Sequence, residues 1–166
     1  MLRIIEAKLG IAGIKFALPE RFCLDLDSDD ATEMNGLKLI SSEKDCLIKI
    51  STTDVKFNSA VDSLLDVFFF DVSECEIGGT LLFDEDFGYV WHEKPQSYEI
   101  NGLKCAHTKY ETSHHLYYEL HFERVFGHYR QLEVLLCVPK ETNVSLDAVL
   151  NRNNVKDFYN SFQYMR

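Results

Sequence analysis

Long apolar runs are missing from this 166-residue chain. Its opening residues, Met1-Leu2-Arg3-Ile4-Ile5-Glu6, bring base and acid into the first turn of sequence, and nothing after them is apolar for long enough to be a signal peptide or a spanning helix. The expectation is a soluble, cytoplasmic protein. Cys-x-x-Cys pairs are also missing. The five cysteines (Cys23, Cys46, Cys75, Cys105, Cys137) are odd in number and widely spaced, which fits reduced thiols better than a disulfide framework. Basic residues are scarce: 17 Lys and Arg stand against 27 Asp and Glu, a formal net charge of −10. That balance disfavours non-specific nucleic-acid or anionic-membrane binding, so neither partner is expected. It suits solubility, and it is compatible with a basic protein partner. The chain has no glycine-rich phosphate loop, no Gly-x-Ser-x-Gly elbow and no His-Glu-x-x-His, so no motif asks for a nucleotide, a serine nucleophile or a zinc ion, and no cofactor is expected. Repeats, low-complexity tracts and Pro/Gly/Ser-rich linkers are absent too. With 46% hydrophobic and 13% aromatic residues, the chain reads as one domain over residues 1–166 with a well-filled core.

What is present is β-patterning, strongest over residues 100–139. Leu103 to Tyr110 is β-rich and lacks a helical period. Leu116, Tyr118, Leu120 and Phe122 then alternate strictly with Tyr117, Glu119, His121 and Glu123. A period of two marks a strand with one face on a core and the other in water. Phe126-Gly127-His128 supplies a turn. Leu132, Val134, Leu136 and Val138 follow, interleaved with Leu135 and Cys137, until Pro139 removes a ladder donor. This last strand is apolar on both faces, so it belongs at a sheet centre or beneath a helix. Connections this short make the three strands antiparallel neighbours.

Elsewhere the signals alternate between strand and helix. Leu2 to Ala7, Ile14 to Leu18 and Phe22-Cys23-Leu24 read as extended, and Leu37 to Ile40 pairs with Leu47 to Ile50 as a hairpin. Ser59 precedes Asp62 at capping-box spacing, and Phe57, Val61, Leu64, Leu65, Phe68 and Val72 share one helical face, predicting a helix over residues 59–72. Leu81 to Phe83 and Phe87 to His92 read as strands, with Lys94-Pro95 to Ser97 as loop. Ser145 to Leu150 makes one or two helical turns. Asn154 caps a final amphipathic helix whose stripe is Val155, Phe158, Tyr159 and Phe162.

Four stretches stand out together: Ile14-Lys15-Phe16-Ala17-Leu18-Pro19-Glu20-Arg21-Phe22, the helix over residues 59–72, Ile100-Asn101-Gly102-Leu103-Lys104-Cys105-Ala106 with the tyrosine-rich strands after it, and Val155 to Phe162. In this order they resemble the Mog/PsbP-like superfamily. The resemblance implies an α+β fold, an antiparallel β-sheet with helices packed on its faces (an α/β/α sandwich). Relatives of that type include photosystem accessory subunits, Ran-binding import factors and bacterial proteins resembling secretion chaperones. It carries no catalytic residues with it. Many relatives bear a signal or lipoprotein leader that this sequence does not show.

Two constellations hold chemistry. Glu119, His121 and Glu123 share one strand face with His107 on the preceding strand, and alternate carboxylates and imidazoles can converge on a divalent metal. The plainer reading is a solvated sheet face. Cys105 and His107, two apart on one strand, read as a small core hydrophobe beside a polar neighbour. Asp25-Leu26-Asp27-Ser28-Asp29-Asp30 opens like a calcium loop, but Asp30 stands where glycine is needed and Gly36 where a glutamate is needed, so a solvated acidic loop is expected. The second constellation is aromatic: Tyr89, Trp91, Tyr98, Tyr110, Tyr117, Tyr118 and Tyr129 lie on or near the meander, and such residues are enriched at interfaces. The reading that follows is a non-enzymatic binding or accessory module docking a protein partner through Trp91, Tyr117 and His121. The alternative is a metal-dependent or hydrolytic enzyme using His107, Glu119, His121 and Glu123.

Overall fold

Alternation becomes ladder wherever the sequence is most regular. A computed structural model describes residues 3–9, 12–25, 36–54, 80–84, 87–92, 96–122 and 130–165. Its strands are β1 (Arg3–Leu9), β2 (Ala12–Leu18), β3 (Phe22–Leu24), β4 (Gly36–Ser41), β5 (Leu47–Asp54) and β6 (Thr80–Asp84). The second half adds β7 (Phe87–Trp91), β8 (Gln96–Ile100), β9 (Leu103–Glu111), β10 (His115–Phe122), β11 (Arg130–Pro139) and β12 (Gln163–Met165). Two short helices, α1 (Leu146–Leu150) and α2 (Val155–Tyr159), lie between β11 and β12.

Among the described residues these strands form two sheets. The smaller has the order β1-β2-β12; the larger runs β3-β4-β5-β11-β10-β9-β7-β6, with β8 also paired to β9. The expected meander is its centre: Tyr118 of β10 faces Lys109 of β9 and Leu136 of β11 in antiparallel register. β11 pairs with both β5 and β10, and Leu132, Val134, Leu136 and Val138 are buried. An apolar strand in the middle of a sheet is the outcome that its two apolar faces predict. The fold is α+β. The helix expected over residues 59–72, most of the acidic loop and the Phe126-Gly127-His128 turn lie outside the described residues.

Three expectations are corrected here. Residues 96 and 97, read as loop after Pro95, begin β8, which pairs Ile100 with Leu103 across a two-residue turn. Asn101 and Gly102 occupy that turn with φ of 49° and 80°, the paired positive values that an Asn-Gly hairpin turn needs. The terminal helix is shorter than its apolar stripe suggests. Ser161 Oγ donates to the Phe158 carbonyl and accepts from Ala17 N–H, which closes α2 and lets Gln163–Met165 pair with β2. Phe162 is still buried beside Phe158, because the turn carries the stripe one step past the helix. Asn154 does not cap α2 with its side chain. It sits at φ 58°, and its amide donates to Glu20 Oε1 at 2.8 Å.

The helices lie over the inner face of the large sheet, the face of Leu120 and Phe122, and their buried residues Val149, Val155, Phe158 and Tyr159 join one core with both sheets. Ser145 Oγ accepts from Ala148 N–H and starts α1 as its N-cap. No helix among the described residues is long and apolar enough to cross a membrane.

Candidate functional site

Residues directly opposite one another in neighbouring strands share a sheet face. This rule sorts the sequence candidates at once. Tyr117, Glu119 and His121 of β10 lie opposite Tyr110, Thr108 and Ala106 of β9. Leu120 lies opposite His107, so His107 projects from the other, inner face. The four-residue metal set therefore does not assemble: the odd-numbered polar residues of β10 and those of β9 fall on opposite sides of the sheet. Glu123 is outside the described residues. Among the described residues, no group of three or more His, Cys, Asp or Glu side chains is arranged to hold a metal.

The face expected to be wet is dry over much of its area. Ala106 and Thr108 are 0% exposed, Tyr110 and Cys137 are buried, and His121 is 6% exposed. His121 Nε2 lies 3.0 Å from Glu119 Oε1, and its Nδ1 lies 3.8 Å from Glu133 Oε1 on β11. An imidazole enclosed this way packs between two carboxylates and offers no surface to a protein partner. The other two partner candidates fare differently. Trp91 of β7 is in register with Tyr110, and Tyr110 is in register with Tyr117, so the backbone aligns the three in one cross-strand row. The Tyr110 and Tyr117 rings stack at 4.9 Å, and the His115 ring lies 5.8 Å from Tyr117.

On the inner face there is a cleft that sequence reasoning did not find. It has a volume of about 390 Å³ and opens between β8, β9, β10 and the helices α1 and α2. Tyr98, His107, Tyr118 and Tyr159 wall it with a chain of rings, at successive centroid distances of 5.1, 5.5 and 4.8 Å. Lys109, Asp147 and Lys156 stand among its lining, and Lys109 Nζ lies 3.2 Å from Asp147 Oδ1. Burial pushes the hydroxyls of Tyr98 and Tyr159 well above the ordinary tyrosine range, so both keep their protons. Beneath the cleft, Cys105 donates from its thiol to the Tyr98 carbonyl, and burial pushes that thiol up to about 12. It is a core hydrophobe and not a nucleophile.

In the sequence Tyr98 is visible only as a member of a long aromatic set, and Tyr118 as one of that set and of the alternating face it shares with Leu116, Leu120 and Phe122. Tyr159 read as core stripe, and Tyr98 followed a stretch taken for loop. The signal that could have joined them was the Asn101-Gly102 hairpin turn, which brings Tyr98 alongside β9.

What these elements define is an α+β fold of the PsbP type. Among solved structures, the chain is similar to cyanobacterial PsbP (CyanoP) from Synechocystis sp. PCC 6803, seen in solution. The TM-score is 0.58 at 12% sequence identity, over 99% of this chain and 94% of that one. No protein-family model matches the chain, and no curated protein matches it in sequence. Likeness at this identity concerns the fold, and function must be argued from the site.

Proposed function

We propose that this chain is a non-enzymatic accessory module that docks a basic protein partner at the rim of its large sheet, around Trp91 and Tyr117. The observation carrying this reading is the register that lines up Trp91, Tyr110 and Tyr117 in adjacent strands. Tyr110 is itself buried and supports Tyr117 by stacking on it at 4.9 Å, and aromatic residues held in place this way supply contact area at small cost in conformational entropy. The net charge of −10 is what names the partner's chemistry, since complementary charge steers encounter and selects against acidic proteins. A reducing, cytoplasmic setting is part of the same proposal. It is supported by Cys23, Cys46, Cys105 and Cys137, all free thiols.

The test compares the wild type with a Trp91→Ala/Tyr117→Ala double variant in capture of a native partner. A partner that is basic, is released as salt is raised and is lost by the double variant with its circular dichroism unchanged would support the proposal. Equal capture by both proteins would defeat it.

A further inference from the structure

We propose that the outer edge of β8 takes an extended peptide segment as an added strand, one with an aromatic residue facing Tyr98 and a basic residue opposite Glu99. This edge stands apart from the rim proposed above: Trp91 and Tyr117 belong to other strands, and neither takes part in the test.

The first observation is topological. β8 pairs with β9 on one side, and no strand among the described residues pairs with its other side. Gln96, Ser97 and Glu99 are exposed along it. Strand phase then says which backbone groups face outward. A two-residue turn closes on a hydrogen-bonded pair, here Ile100 with Leu103, so bonds are exchanged again at Tyr98–Cys105 and Gln96–His107. Ser97 and Glu99 therefore aim their amides and carbonyls away from β9, and a backbone laid alongside meets two donors and two acceptors. An edge of this kind recruits a strand by main-chain bonding and selects it by its alternate side chains. The inner face supplies one selection. Tyr98 lies there with His107, their rings 5.1 Å apart, and the cleft of about 390 Å³ reaches the edge through Gln96 and Ser97 in its lining. An added residue opposite Tyr98 projects on that same face, so an aromatic ring on it packs beside Tyr98 at the cleft mouth. Charge supplies the other. Glu99 is exposed opposite Lys104, and an added strand lies on its far side. A lysine or arginine directly across from Glu99 completes a cross-strand ion pair, and the net charge of −10 favours a basic segment over an acidic one.

The probe is acetyl-Thr-Lys-Phe-Lys-Thr-amide, which sets phenylalanine opposite Tyr98 and its lysines opposite Ser97 and Glu99. It is titrated into the full chain and followed by amide chemical shifts and calorimetry. Saturable binding is expected, with the Ser97 and Glu99 amides moving downfield and gaining protection from solvent exchange. N-methylating both lysines should abolish binding, because those amides face β8. N-methylating the phenylalanine should leave it, because that amide points to solvent. Alanine for phenylalanine, or glutamate for both lysines, should weaken binding about tenfold or more. Ser97→Pro removes one outward donor without touching a ladder bond, so it should keep its circular dichroism and bind about tenfold more weakly. Glu99→Lys leaves the backbone intact, so it decides the matter even where the proline variant fails to fold; it should exchange the preference for the lysine peptide for the glutamate one. No saturable binding, equal losses from the two N-methylations, or a wild-type charge preference in Glu99→Lys would overturn the proposal. So would a folded Ser97→Pro protein that binds as the wild type does. A mass that is doubled without peptide and halves when it is added would overturn it too, since the edge would then belong to a second copy.

Discussion

At the residue scale, the most telling charges are carboxylates with their own cations. Arg152 Nη2 lies 2.6 Å from the Asp45 carboxylate, and Arg152 Nη1 lies 3.2 Å from Glu43 Oε2, so the residue between the two helices is fastened to the β4–β5 hairpin. Ser41 completes the corner by donating to Asp45 while accepting from the amides of Asp45 and Cys46. Burial alone would push Asp45 up, but the hydrogen bonds from Arg152 and Ser41 outweigh it and hold the carboxyl below its ordinary value of 3.8. Glu111 is lowered as well, chiefly by Lys140 at 2.9 Å and further by His92. A carboxyl that binds its proton more weakly when folded stabilises the fold above the ordinary carboxylate range, and that contribution fades as pH falls through the folded value. Asp45→Asn should therefore cost about 1.5–3 kcal/mol at pH 7, the range for a hydrogen bond to a charged group. Melting curves of wild type and variant should converge once the pH is taken below 3.8. A gap that stays constant down to acid pH would mean the loss is one of packing, not charge. His121 shows what a single residue's surroundings hide from sequence. Glu119, His121 and Glu123 form a polar stripe in the one-dimensional pattern. Whether that stripe meets water depends on what lies over it, which strand periodicity does not encode.

At the element scale, legibility tracked how local each signal was. Strands β9, β10 and β11 could be read because alternation, turns and Pro139 all act within a few residues. The relative phase of β9 and β10 could not, because it is fixed by the Thr112 to His114 connection. Thr112 Oγ1 there accepts from the amides of His114 and His115 and sets Leu116 against Glu111. One step of register decides whether His107 joins Glu119 or opposes it, and here it opposes it. The terminal helix is shorter than its pattern for a related reason: a 3.6-residue apolar stripe survives a helix followed by a turn. Ser161 is the residue that ends it. Its hydroxyl accepts from Ala17 N–H at 2.8 Å, a donor in β2 that would otherwise be left without that bond. Ser161→Ala is expected to cost about 1–3 kcal/mol in urea unfolding, since a part-buried amide loses its acceptor. A Ser161→Thr variant keeps the hydroxyl and should recover much of the loss. If alanine and threonine prove equally mild, the bond is not what positions β12.

At the scale of the whole molecule, the two sheets are joined by aromatic residues contributed from every layer. Phe16 comes from β2 in the small sheet, Phe122 from β10 in the large one, and Phe158 from α2; Phe162 touches all three at centroid distances of 5.4, 5.5 and 5.1 Å. The last residues of the chain do two separable things. Phe162 fills the junction, and Gln163–Met165 covers the edge of β2. Phe162→Ala removes only the first, and loss of a fully buried phenylalanine costs about 3–5 kcal/mol through lost burial and the cavity left behind. Ending the chain after Ser161 removes both. It should lower the denaturation midpoint at least as far, and it also uncovers a row of backbone donors and acceptors on β2, the kind of edge that recruits another strand. The expected outcome is that both proteins unfold at lower guanidinium than the wild type, while only the shortened one self-associates as its concentration is raised. Light scattering after size exclusion, read beside the guanidinium midpoints, separates the two effects. If the shortened chain stays monomeric, β12 is dispensable as an edge cover. If Phe162→Ala leaves the midpoint in place, the sheets are held together by contacts other than this junction.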